Sequence, residues 1–188
     1  GRNHSKSGYE YLKNDAKIDD PDILNCIRYH HGVQLKDASI QDDSLAYITY
    51  YADNVASAAD RRDKMNPEPG FDKKVPLSSV FNILNGNNGK SHYRQQVLDV
   101  SKGVFYPTED PVEMTEEFYK GIISQITDNL RGITYTEEYM NSLLAILEAN
   151  LSYIPSSTSR KELEDISLYD HVKLTAAFAL CIENYCRD

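Results

Sequence analysis

A chain of 188 residues, 40% hydrophobic and 26% charged, is long enough to bury a core and too apolar to be disordered. Its net charge of -9 argues against a free-standing nucleic-acid binder, which needs clustered lysine and arginine. No apolar run approaches the roughly 20 residues of a membrane span. The opening GRNHSKSGYEYL reads as a motif, not a signal peptide, as expected if the chain is a fragment.

In chain order, residues 4–13 predict a short helix that opens on His4, with Gly8 permitting close approach to a neighbour. Asp20 is a predicted N-cap, with Pro21 at the first helical position and Asp22 favourable to the dipole. That helix buries Ile23, Leu24 and Ile27 and runs through His30 and His31 to Gly32 as its stop. A longer helix follows from Ser44 to about Arg62. Leu45, Ile48, Ala52, Val55 and Ala59 make one stripe, and Ala46, Thr49, Asp53, Ala56 and Asp60 a second face of small and acidic residues.

Residues 64–111 break the helical pattern. MNPEPG precedes two β-friendly runs, PLSSVFNIL and QQVLDVSKGVFYP, separated by the turn-rich NGNNGKSHY, and this reads as an insertion with one hairpin. The tail of NGNNGKS resembles a phosphate loop, but Leu84 stands where the first glycine belongs, so the run reads as a turn. The last third is helical again. Phe118, Ile122, Ile126 and Leu130 point inward on a helix from Thr115 to Gly132, and Thr134 with Glu137 predicts a capping box for the next. Ser167 with Asp170 predicts another, opening a final helix whose stripe holds His171, Leu174, Phe178, Ile182 and Tyr185.

Four of the five histidines therefore fall at arranged positions: His4, His30, His31 and His171. Asp53 joins them, since an ionised carboxylate among alanines is costly unless something pairs with it. Imidazoles and a carboxylate drawn from separate helices are what a divalent transition metal needs, and such an ion is an economical catalyst of phosphodiester hydrolysis near neutral pH. Each residue also has a plainer reading: His30 and His31 as favourable charges at a helix C-terminus, His171 as a core histidine. His92, in the insertion, reads as a surface residue. Cys26, Cys181 and Cys186 form no CxxC pair and read as reduced core residues of a cytoplasmic protein. The 14 tyrosines could stack on bases but fall mostly on amphipathic helices, where packing explains them.

Taken together, NHSKSGYEYL, IRYHH, LAYITYYADNVASAADRR, PLSSVFNIL and YIPSSTS followed by ELEDISLYDHVKLTAAFA resemble the N-terminal HD domain of the large signature subunit of type III-A, Csm-type CRISPR effector complexes. The resemblance spans nearly the whole chain. It implies a mainly α fold, a permuted HD-type helical domain over residues 1–188 with the 64–111 insertion. It implies a metal-dependent single-stranded DNA nuclease in RNA-guided antiviral defence. His4, His30, His31, Asp53 and His171 would be the metal ligands, and His30, His31 and Asp53 the catalytic set. One or two divalent ions of manganese, nickel, cobalt or iron fit imidazole-rich ligation. The implied partners are single-stranded DNA, guide and target RNA through the complex, and other Csm-type subunits, with no membrane. The resemblance places a His-Asp doublet on a helix upstream of His4, and no such dipeptide occurs in the chain: either the chain is a fragment of an active parent, or the doublet is missing and metal binding is weakened. No GGDD run occurs either, so cyclic oligoadenylate synthesis is not assigned to this chain. The alternative reading is a catalytically silent docking module of the same complex.

Overall fold

The structure, a computed structural model, describes residues 4–86, 88–103 and 105–187. It is mainly helical: α1 (His4–Asn14), α2 (Pro21–Tyr29), α3 (Gly32–Lys36), α4 (Leu45–Asp60), α5 (Glu116–Leu130), α6 (Glu137–Leu151) and α7 (Leu168–Arg187). The chain clusters into two compact units. The first comprises Gly1–Ala59, Thr127–Thr134 and Lys173–Asp188, and the second Asp60–Ile126 and Tyr135–Val172.

In the first unit, α2 starts where the sequence places it. The Asp20 carboxylate accepts from the backbone N–H groups of Asp22 (2.9 Å) and Ile23 (3.2 Å), satisfying two donors that the first turn leaves unpaired. Its end differs from expectation. The helix stops at Tyr29, and Gly32 opens α3 instead of closing α2. A side chain at residue 32 would stand 3.2 Å from the Tyr50 hydroxyl, so glycine there allows the Tyr50 ring its close approach. Gly8 serves the same purpose, since a Cβ would meet Ile27 Cγ2 at 3.0 Å. The pairings His4/His30, Gly8/Ile27 and Tyr9/Arg28 run in opposite senses, so α1 and α2 are antiparallel neighbours. Ala46, Ala52 and Ala56 bury α4, while Leu45 and Val55 remain 40% and 45% exposed. Of the first predicted stripe only Ala52 is fully buried; Ala46 and Ala56, from the second predicted face, join it.

The second unit holds the largest apolar cluster among the described residues, Met114, Ile122, Leu151, Ile154 and Tyr169, with Phe118, Ile126 and Leu147 packed against it. Each such side chain contributes about 1.5–3 kcal/mol by leaving water. Helix starts there are set by hydroxyl caps. Ser167 Oγ accepts from Asp170 N–H at 3.0 Å, the first half of the predicted capping box, and donates its own proton to Asp170 Oδ2 at 2.7 Å. For α6 the cap is Thr136, accepting from Tyr139 N–H, two residues beyond the predicted Thr134.

The 64–111 segment has no paired strand among its described residues; the expected hairpin is replaced by three 3-10 turns and isolated bridges. Backbone bonds such as Lys64 N–H to Lys161 C=O (2.8 Å), Ser78 N–H to Glu164 C=O (2.7 Å) and Asp72 N–H to Thr158 C=O (2.8 Å) tie it to residues 158–164. The NGNNGKS turn, apart from Asn87, which lies outside the described residues, is closed by Asn82 bonding both backbone groups of Ser91. His92 is half-buried, not simply a surface residue: its ring nitrogens face the carbonyls of Lys90 (3.2 Å) and Asp110 (2.6 Å). The three cysteines are free, but Cys181 and Cys186 are exposed and not core; Cys26 is half-buried, and burial pushes its thiol pKa up.

Candidate metal centre

Three histidines distant in sequence converge in the first unit. His4 is the first residue of α1, His30 the C-cap of α2 and His31 the N-cap of α3. His30 keeps helical backbone angles while His31 turns to extended ones (φ -112, ψ 139), which lets two neighbours in sequence aim at a common point. His4 Nε2 lies 2.7 Å from His31 Nε2 and 3.1 Å from His30 Nε2, with ring centres 4.1–5.1 Å apart. The antiparallel packing of α1 on α2 brings His4 there.

The chemistry of the donor set suits a cation. His30 Nδ1 is 2.7 Å from the Ile27 carbonyl, which can only accept, so Nδ1 carries the proton and, in neutral His30, Nε2 presents its lone pair to the centre. His4 Nε2 then faces two imidazole nitrogens, and a single proton on it can satisfy one of them only. A divalent ion accepts all three lone pairs at once. Among the described residues, these three are the group whose ligand atoms all lie within 4.8 Å of one another.

The two remaining expected residues lie outside that group. Asp53 is half-buried in the middle of α4, in the same unit. His171 lies in the second unit, where its Nδ1 is 2.7 Å from Asp60 Oδ2 with both side chains nearly buried, at 10% and 6% exposure. The Nδ1–H donates to the carboxylate, and Asp60 Oδ1 has no hydrogen-bond partner. Asp60 is the site-forming residue that the sequence reading passed over. The signal was its position seven residues after Asp53, two turns along the same face of small residues.

No protein-family profile matches the chain. Curated relatives do. A CRISPR system single-strand-specific deoxyribonuclease Cas10/Csm1 (subtype III-A) of Enterococcus italicus is 38% identical over 97% of this chain, and one of Mycobacterium tuberculosis is 34% identical over 98%. The chain belongs to the Cas10/Csm1 family of subtype III-A. It spans about a quarter of the length of these relatives, 25% and 23% respectively.

Solved structures agree with this placement. A crystal structure of T. onnurineus Csm1 superposes with a TM-score of 0.67 at 26% identity, covering 95% of this chain and 24% of that one. A Csm1–Csm4 cassette in complex with cA4 gives 0.63 at 25% identity, covering 94% and 24%. The order of motifs that first suggested the Csm-type relationship is therefore matched by alignment over nearly the whole chain. Within this Cas10/Csm1 segment, the tri-histidine convergence and the His171–Asp60 pair are two separate histidine environments, one in each unit.

Proposed function

We propose that this chain is the metal-dependent nuclease domain of a Cas10/Csm1 protein, cutting single-stranded DNA within an RNA-guided type III-A defence complex. The observation that carries the reading is the meeting of His4, His30 and His31 through their Nε2 atoms, with the Ile27 carbonyl fixing the tautomer of His30. The relatives are named single-strand-specific deoxyribonucleases, which supports this substrate class.

His4, His30 and His31 would hold the ion, with Asp53 as the oxygen ligand. The imidazole-rich set favours manganese, nickel, cobalt or iron over magnesium alone. When bound, the ion supplies Lewis acidity that neutralises charge building on the phosphoryl oxygens. The chain's own contribution is positional. Half-buried His30 and His31 turn their Nε2 atoms inward, and the α1–α2 packing holds His4 against them without reorganisation at the moment of reaction. The resemblance also implies His171 as a ligand; in the second unit its Nδ1–H donates to Asp60, which orients the ring.

Cleavage of a labelled single strand with added manganese, compared with a His30→Ala/His31→Ala variant, tests the proposal. Activity is expected to vanish with the pair, together with bound metal; equal activity in both proteins removes these residues from the mechanism. A His171→Ala variant sorts its two roles: lost metal stoichiometry supports ligation, lost stability alone leaves only the Asp60 contact. The second reading, a silent docking module for Csm-type subunits, draws on the Csm1–Csm4 cassettes among similar structures and on the acidic charge. It predicts purified protein with no stoichiometric transition metal.

A further inference from the structure

Arg28 differs from every other described arginine. Arg61, Arg62, Arg94, Arg131, Arg160 and Arg187 each pair with a carboxylate. The Arg28 guanidinium pairs with none and makes no hydrogen bond among the described residues, in a chain where Asp and Glu outnumber Lys and Arg by 29 to 20. It is nonetheless half-buried and held. Its guanidinium carbon lies 4.7 Å from the centre of the Tyr9 ring and 5.6 Å from that of Tyr29. Lys13 approaches the same Tyr9 ring at 5.7 Å and donates to its hydroxyl at 3.4 Å.

Aromatic rings engage a guanidinium through its face and leave its in-plane N–H donors unspent. Five donors in a fixed fork match a phosphate better than they match anything now around them. The location also fits. Tyr9 is five residues along α1 from His4, a rise of about 7.5 Å, and Arg28 precedes His30 by two residues on α2. A strand held at the three histidines would carry its neighbouring phosphate past this position.

We propose that Arg28, framed by Tyr9 and Tyr29 and supported by Lys13, is a seat for a phosphodiester group of single-stranded DNA, next to the phosphate at the tri-histidine centre. The identity of the polyanion rests on the nuclease reading above; the seat itself rests on the unpaired, ring-held guanidinium. Arg28 here binds substrate and does not hold metal.

The test is fluorescence anisotropy of a labelled oligothymidylate on the full chain in EDTA, so that no metal is needed, repeated over a range of salt. Arg28→Gln is expected to weaken binding several-fold and to flatten the plot of log affinity against log salt by about 0.7, the value for one lost single-strand phosphate contact. Arg28→Lys keeps the charge and so the slope, but loses the fork and binds between the other two. A clamp that merely joins α1 to α2 would lower the melting temperature and leave the slope unchanged. The proposal is overturned if the wild type does not bind the strand at low salt, or if Arg28→Gln binds with unaltered affinity and slope. Should Arg28→Gln not fold, Arg28→Lys decides alone: affinity equal to wild type overturns the fork. The two readings fail separately. Arg28-dependent binding without manganese-dependent cleavage removes the nuclease reading only, whereas cleavage with Arg28-independent binding removes the seat only.

Discussion

The same side chain is used in opposite ways in the two units. In the first, three imidazoles meet nitrogen to nitrogen, with no carboxylate in the group whose ligand atoms lie within 4.8 Å of one another. In the second, His171 faces the Asp60 carboxylate at 2.7 Å, and both side chains are nearly buried. The first arrangement sets nitrogen against nitrogen, a donor set that a proton or a cation can join. The second gives the His171 Nδ1–H a carboxylate acceptor and braces the end of α4 against the start of α7. Imidazoles converging on one another suit a ligand; an imidazole converging on a carboxylate holds structure or orients a ring.

Three substitutions probe that contrast, in decreasing order of expected effect. Asp60→Ala strips His171 of its acceptor and should lower stability by about 3 kcal/mol, where the range for an unsatisfied buried group meets that for a broken buried ion pair. Urea denaturation measures it, and a loss under 1 kcal/mol would mean the pair does not brace the unit. Gly8→Ala drives a methyl group to 3.0 Å from Ile27 Cγ2. The expected cost is about 1–3 kcal/mol of overpacking, with weaker metal binding because α1 carries His4 away from His30. Thermal melting and manganese titration read the two effects separately; unaltered metal affinity would detach α1 packing from the site. Asp20→Ala removes the α2 cap and should cost about 1 kcal/mol without altering metal stoichiometry, since the cap lies at the far end of α2 from His30.

Much of this could be read before any coordinates. The caps at Asp20 and Ser167 and the close approach at Gly8 all follow from short-range chemistry, and each stands where the sequence puts it. The misses have a common cause. Gly32 was assigned a stop because glycine favours helix ends, yet the Tyr50 ring decides its role. Leu45 and Val55 were placed inward by period, but three alanines allow a closer neighbour to take that face. The β-friendly runs of 64–111 lack a partner strand, so their backbone bonds go to residues 158–164 and to turns instead. Cys181 and Cys186 lie on a helix whose outer turns are exposed.

Sequence alone determined the helical class, the main helix starts, the candidate histidines and the family relationship, because caps, glycines and motif order act over a few residues. Tertiary structure decided which histidines share a point, that His30 presents Nε2, that His171 answers to Asp60, and that Arg28 is left with rings in place of a carboxylate. The meeting of the histidines and the His171–Asp60 pair depend on distances between residues 26 to 111 apart in the chain, which no local pattern encodes.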